Sequence, residues 1–288
     1  MSSSSSPASP STFSLPTDIF NPSLLDSILQ TWFAHQPSTL SAPHPDSFKQ
    51  WFFNPNREEA DQFDSLLASK FSTAVRALGP DKLTLPPAKT YEEEVSLAPT
   101  IAAPFFPLIQ PSKSNDTTED EAAWTTRANH SLALILLLDQ IPRNILRTSQ
   151  SLIYTHYDLL ARSLTRIALS QSASPSSPLL PRADQTPSLR PLLSKRMWFY
   201  LPLMHSEWIQ DHDLFQQYGR ECREDMQGEY NTGEEMEEAL KQMEDFEERH
   251  RVIVERFGRY PYRNEVMGRE STEEEKRWEE EGGERFTA

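Results

Sequence analysis

The sequence predicts an all-α protein, and three observations carry that prediction. Apolar residues recur at spacings of three and four over long stretches, as they do along one face of a helix. Capping and stopping residues bracket those stretches, as at Asn21-Pro22 and Gly79-Pro80. No segment shows the strict alternation of a strand. Amphipathic helices joined as antiparallel pairs are the natural packing for such a pattern.

The elements follow in chain order. Residues 1–17 are rich in Ser and Pro and predict a disordered tail. Asn21-Pro22 opens the first helix, with Leu25, Ile28, Leu29 and Trp32 on one face. Residues 36–47 carry three prolines and predict a loop. A second helix follows Asn54-Pro55, through Phe63, Leu67, Phe71, Val75 and Leu78. Residues near 80–120 predict an insertion without a fixed core, although Ile101, Phe105 and Phe106 could dock. A third helix runs through Trp124, Ala128, Leu132 and Ile135 and meets Asp139-Gln140-Ile141-Pro142. Proline disfavours helical geometry in the residue before it, so a turn is expected at Gln140–Ile141 and a restart at Pro142. The fourth helix carries Ile145, Leu152, Leu160, Leu164 and Ile167. Residues 171–190 read as a Ser/Pro linker. The fifth helix covers 192–218, kinked or split at Pro202. Residues 219–235 read as an acidic loop, and a sixth helix carries Met236, Leu240, Met243, Phe246, His250, Ile253 and Phe257. A last helix opens on a capping box, Thr272 with Glu275 or Ser271 with Glu274. The expected core is one domain over 20–282.

Composition narrows the function classes. The 288 residues are 37% hydrophobic, below the ~45–50% usual for a globular chain, because Ser, Pro and acids fill the linkers. A net charge of −15 repels phosphate backbones and anionic membranes, which argues against nucleic acid as a partner. The single cysteine, Cys222, can form neither an internal disulfide nor a Cys-rich zinc site and fits a reducing compartment. The longest apolar run, Leu132 to Leu138, is far short of the ~18 residues that span a bilayer. Cytosol is the expected location, with the nucleus as the alternative.

Three segments mix polar and apolar residues more densely than solvated surface does. They are 138–144 (LDQIPRN), 200–207 (YLPLMHSE) and 257–272 (FGRYPYRNEVMGREST). In the first, Asp139 can cap the helix at Pro142 while Arg143 pairs with a carboxylate. Alternatively, Gln140, Arg143 and Asn144 line an anion pocket at that helix N-terminus. In the second, His205 or Glu207 could serve as an acid–base group. His205, Ser206 and Glu207 cannot form a triad among themselves, since adjacent helical side chains point about 100° apart. In the third, Arg259 and Arg263 could grip a carboxylate or phosphate in bidentate fashion, with Asn264 adding a hydrogen bond, or could pair with the chain's own acids. No metal site is expected: His205 and His212 share a face of the fifth helix but lie two turns apart, about 10 Å along its axis. No cofactor is expected either, because no Gly-x-Gly and no Gly-Lys occur.

These segments resemble the signature stretches of a family of uncharacterised proteins known as DUF924. "LALILLLDQIPRNILR" is similar to its central signature, and "FYLPLMHSE" and "ERHRVIVERFGRYPYRNEVMGREST" to later ones. "SILQTWF" and "FDSLLASKF" resemble its first two helices. The chain departs from the pattern in long insertions near 80–120, 171–190 and 220–245, and in Ile141, where an aromatic is common. The resemblance implies a TPR-like helical fold and no established activity.

Two functions remain open on the sequence. One is a helical scaffold or ligand-binding module with a protein or small anionic partner. The other is an enzyme acting on a small anionic metabolite. The enzyme reading expects Gln140, Arg143, His205, Glu207, Arg259 and Arg263 to converge on one reachable cleft.

Overall fold

A computed structural model describes residues 13–52, 54–109, 121–170, 182–228 and 233–286, and among them every regular element is helical. The all-α expectation therefore holds. No helix among the described residues is long and apolar enough to cross a membrane. The expected tail lies mostly outside the described residues, and its last part is not free: Phe13 and Leu15 pack against the core.

The first elements are α1 (Pro22–Trp32), α2 (Pro45–Phe52) and α3 (Arg57–Ala77). Asn21 caps α1, its side chain accepting from the Leu24 amide. The proline-rich segment is a loop only as far as His44, after which α2 forms and buries Trp51. Asn56, rather than Asn54, caps α3, with its side chain taking the amides of Glu58 and Glu59.

The insertion expected near 80–120 is corrected by α4 (Tyr91–Ala102), which runs into α5 (Phe106–Ile109) through one turn of 3-10 helix. Its inward face is Glu94, Ala98, Ile101, Ala102 and Phe105. Two small alanines and a glutamate hide that stripe from a hydrophobicity reading. Glu94 is buried because Arg162 meets it with two parallel bonds of 2.8 and 3.0 Å. Residues 110–120 lie outside the described set.

The axis of the fold is α6 (Glu121–Leu138). Ser131 to Leu138 are all fully buried. A helix that is apolar all round must be enclosed, and α6 is in contact with α1, α3, α5 and with two later helices, α9 (Asp158–Leu169) and α10 (Leu193–Met204). Between α6 and α9 lie α7 (Gln140–Ile145), the short α8 (Gln150–Leu152) and a π-turn over Ile153–Tyr157. The expected fourth helix is thus broken in two. The chain turns at Asp139, one residue earlier than expected, and α7 already holds Gln140 and Ile141.

The linker expected at 171–190 is corrected over its described part. Ala183, Asp184, Thr186 and Leu189 are buried, and Tyr200 donates to Asp184 at 2.7 Å. The fifth helix splits, but not at Pro202, which lies inside α10. The break falls at His205–Trp208, where the Ser206 hydroxyl accepts from the Trp208 amide at 3.1 Å and starts α11 (Ile209–Gly228). That helix also corrects the acidic loop expected at 219–235. Phe215, Gly219, Cys222 and Met226 continue its buried face through to Gly228. Next come α12 (Glu234–Phe257), antiparallel to α11, and α13 (Glu273–Glu280) with the Thr272–Glu275 capping box.

Trp198 anchors the packing of α1, α2 and α10. Its ring meets Trp32 and Trp51 edge-on at 5.2 and 4.9 Å and stacks on Phe52 at 5.4 Å. Its indole N–H donates to Ser194. Trp198→Ala is expected to cost about 3–5 kcal/mol of stability through the cavity it leaves, read from urea unfolding. A loss below about 1 kcal/mol would mean that the aromatic cluster does not hold these helices together.

Candidate functional site

The three polar segments meet at one point behind the corner between α6 and α7. Asp139 is fully buried there and makes no cap bond, which corrects the reading of it as a helix cap. Its carboxylate takes Nδ1 of His205 at 2.8 Å and Nε2 of Gln140 at 2.5 Å. Arg143 reaches the same carboxylate at 3.3 Å, the Asp139 carbonyl at 2.9 Å and Asp158 at 2.7 Å. Arg263 closes the set from the far side. It donates to the His205 carbonyl at 3.0 Å, lies 3.7 Å from Asp158, and stacks over Tyr154 and Tyr260 at 4.4 and 4.3 Å.

The electrostatics follow from burial. Burial works to raise the Asp139 carboxyl, but His205, Arg143 and the Gln140 bond outweigh it and hold it down at about 2. Burial lowers the His205 imidazole below its ordinary 6.5, helped by the charge of Arg143 and opposed by Asp139. His205 is therefore a neutral base at neutral pH, with Nδ1–H fixed on Asp139. No bond engages its Nε2 among the described residues, and that nitrogen is not among the fully buried polar atoms.

His205 opens onto a cleft of about 1290 Å³. Gln140, Arg143 and Asn144 line the same end, beside Arg147. Asn144 is tied to Asp64 at 2.8 Å and Arg147 to Asp64 at 2.8 Å. Nη2 of Arg143 is buried without a hydrogen bond among the described residues. The other expected residues lie elsewhere. Glu207 does not line the cleft: Arg269 grips it at 2.6 and 2.9 Å and the Tyr260 amide donates to it at 2.9 Å. Arg259 is bound to Glu275 at 2.6 and 2.8 Å, and Asn264 donates to Ser271 and Glu275. Arg263 supports His205 from behind without reaching the cleft. These arginines pair with the chain's own acids because the segment has to be fastened to α10 and α13.

Sequence reasoning missed Asp158, whose signal was visible: it is the one acid in residues 145–169. His250, expected on the apolar stripe of its helix, is buried and bonded to the Phe246 carbonyl, and it also lies in the cleft wall with its ring 6.3 Å from His205 and Phe286 stacked on it. The distance argument against a shared metal at His205 and His212 assumed one helix. The break at Ser206 instead turns His212 onto Glu247 at 2.9 Å, deep in the core. No group of three or more potential metal ligands occurs among the described residues.

A family profile described as "Bacterial protein of unknown function (DUF924)" matches residues 28–283. The chain belongs to the DUF924 family. Among solved structures, this DUF924 protein is similar to a protein of unknown function, ATU0120, from Agrobacterium tumefaciens. The identity is 24%, with 90% of this chain and 98% of the other covered and a TM-score of 0.49. No curated protein matches. Membership supplies no activity, so the chemistry rests on the geometry.

The pH dependence of stability follows from the buried histidines. His156, His205 and His250 are each held below 6.5, chiefly by burial. The unfolded chain takes up these protons first, so their contribution is present above about pH 6.5 and is lost as pH falls below it. Glu94 and Asp139, both held at about 2, add a second loss as pH falls through the ordinary carboxylate range. The urea midpoint is expected to drop between pH 7 and 5.5, ahead of the carboxylate limb, and His250→Gln should shrink that first drop. A curve flat from pH 7 to 5 would contradict the assignment.

Proposed function

We propose that this DUF924 protein is a helical small-molecule-binding module, TPR-like in the stacking of its later helices, whose cleft performs general-base chemistry on an anionic ligand. One observation carries the reading: a histidine, oriented by a buried carboxylate at 2.8 Å and with no bond on its second nitrogen among the described residues, lines a large cleft beside an arginine. The roles follow from the bonds. Asp139 fixes the tautomer and would stabilise the imidazolium once His205 takes a proton. Arg143, which lines the cleft beside His205, supplies the positive charge that holds the anion. Among the described residues the cleft lining includes no Ser, Thr or Cys, so His205 would act on a water or directly on a ligand proton.

A scaffold for a protein partner has less support. The exposed large hydrophobic residues among those described are only Leu66, Val95, Val252 and Val266, and no two of them share an element.

The test is a thermal-shift panel of small carboxylates and phosphates, with turnover measured on 4-nitrophenyl phosphate and the 4-nitrophenyl ester of succinate. His205→Asn should keep the thermal shift and lose about 10²–10⁴-fold in rate, the usual share of a general base. Arg143→Lys should lose the shift. The wild-type rate should be level at pH 7–8 and fall on the acid side of 6.5 as His205 takes up its proton. Equal shifts in wild type and Arg143→Lys, or turnover untouched in His205→Asn, would sink the reading.

A further inference from the structure

The cleft is far larger than a small anion needs. Pockets for drug-sized ligands run to roughly 300–1,000 Å³, and this one encloses about 1290 Å³. Its shape is set by α12, which presents Glu235, Glu238, Gln242, Phe246 and Arg249 along one face. The fourteen helical rises from Glu235 to Arg249 make a groove about 21 Å long, at 1.5 Å per residue.

The two ends differ in charge. His250, near the end of α12, lies beside His205, so this end is the one with Arg143, Asn144 and Arg147. The opposite mouth carries Glu235 and Glu238. Between them the wall is mostly apolar, from Trp51 and Phe52 on α2, Met197 and Leu201 on α10, and Met243 and Phe246 on α12, and the polar side chains Lys49, Gln242 and Arg249 that share the lining are bound to Glu59, Glu238 and Glu284. The one indole N–H in this wall is already bound to the Trp32 carbonyl at 2.9 Å. With those side chains already bound to carboxylates, the wall offers few groups to the N–H and C=O of an extended peptide, each of which costs about 1–3 kcal/mol when buried unpaired. A hydrocarbon has no such groups. Methionine side chains adapt to a flexible chain better than rigid rings do.

We propose that the groove binds a single fatty-acyl chain, with its anionic head at Arg143 and His205 and its tail running along Met243 and Phe246 toward the mouth of α12. This deepens the reading above by naming its ligand class, and it rests on the same polar end. The acidic mouth repels the head and the arginine attracts it, which fixes the direction of entry. The lining supplies the affinity through apolar burial, at about 25 cal/mol per Å² covered.

The experiment is calorimetric titration of the full chain with dodecanoate below its micellar concentration, against hexanoate, dodecyltrimethylammonium and an apolar decapeptide. Dodecanoate should bind saturably at one site, at least tenfold more tightly than hexanoate. The cationic amphiphile and the peptide should fail to compete. Ala239→Trp fills the groove from the half-buried face of α12 without touching the polar end. It should weaken dodecanoate at least tenfold while the unfolding midpoint stays within a few degrees. The titration reads binding alone and no turnover, so a failure of the base leaves this result standing. Preferential binding of the peptide, equal binding of the cation, no saturable binding, or indifference to Ala239→Trp would each overturn the proposal. If small anions still shift the protein in that case, the polar site survives and only its ligand class is wrong.

Discussion

A fully buried carboxylate is the constraint on which this structure turns. An ionised Asp139 cannot sit in the interior without partners, because losing water costs several kcal/mol even after relaxation. Those partners come from the α6–α7 corner, from the end of α10 and, one step out, from α9 and the segment after α12. Counted formally, two carboxylates, Asp139 and Asp158, face two guanidiniums, Arg143 and Arg263. The cluster is neutral only while His205 is neutral. Adding a proton to His205 would leave an uncompensated charge in a buried site, which is the physical content of its lowered affinity for that proton. Removing one partner of such a set typically costs 3–5 kcal/mol, so the geometry of the base is coupled to the stability of the whole core.

The arginine-rich segment acts as a brace for that cluster. Gly258 ends α12 in the left-handed conformation, φ 67°, which reverses the chain toward α10. Arg259 then binds Glu275, Arg269 binds Glu207, and Tyr260 donates its hydroxyl to the Met204 carbonyl at 2.6 Å. All three contacts hold the segment against the end of α10 or the start of α13. Arg263 can support the His205 backbone only because its neighbours fix it there. In a chain of net charge −15, arginine is the natural fastener, since acids are available wherever a loop needs an anchor.

The helices were legible in the sequence where their apolar stripes are made of large residues, as in α1, α3, α6 and α12. The same reasoning lost α4, whose stripe is two alanines, an isoleucine, a phenylalanine and a salt-bridged glutamate. It lost the end of α11 because three acids, Glu221, Glu224 and Asp225, crowd around the only two large apolar residues there, Cys222 and Met226. In the site, His205 and Arg143 could be named because they stand in unusually dense polar segments. The role of Asp139 could not be, since a cap and a buried ion pair look alike until a distant histidine is placed 2.8 Å away. Glu207, Arg259 and Asn264 mark the opposite error. Polar residues crowded in sequence suggest a ligand, yet their partners here are the chain's own groups.

The two halves of the cleft reinforce each other on the reading proposed. Water along an empty groove weakens the pull of Arg143 on an anion, because a high dielectric screens charges. An apolar tail that fills the groove displaces that water and lowers the effective dielectric around the polar end. The attraction between Arg143 and the ligand head then strengthens, and His205, already desolvated, becomes harder still to protonate from solvent. Chain length would therefore act on the chemistry at the far end as well as on affinity. A short anion would find the same base but a wetter and weaker site. This coupling gives a physical reason for a buried Asp–His pair to stand at the end of a groove walled by methionine and aromatic residues instead of at the bottom of a small polar pocket.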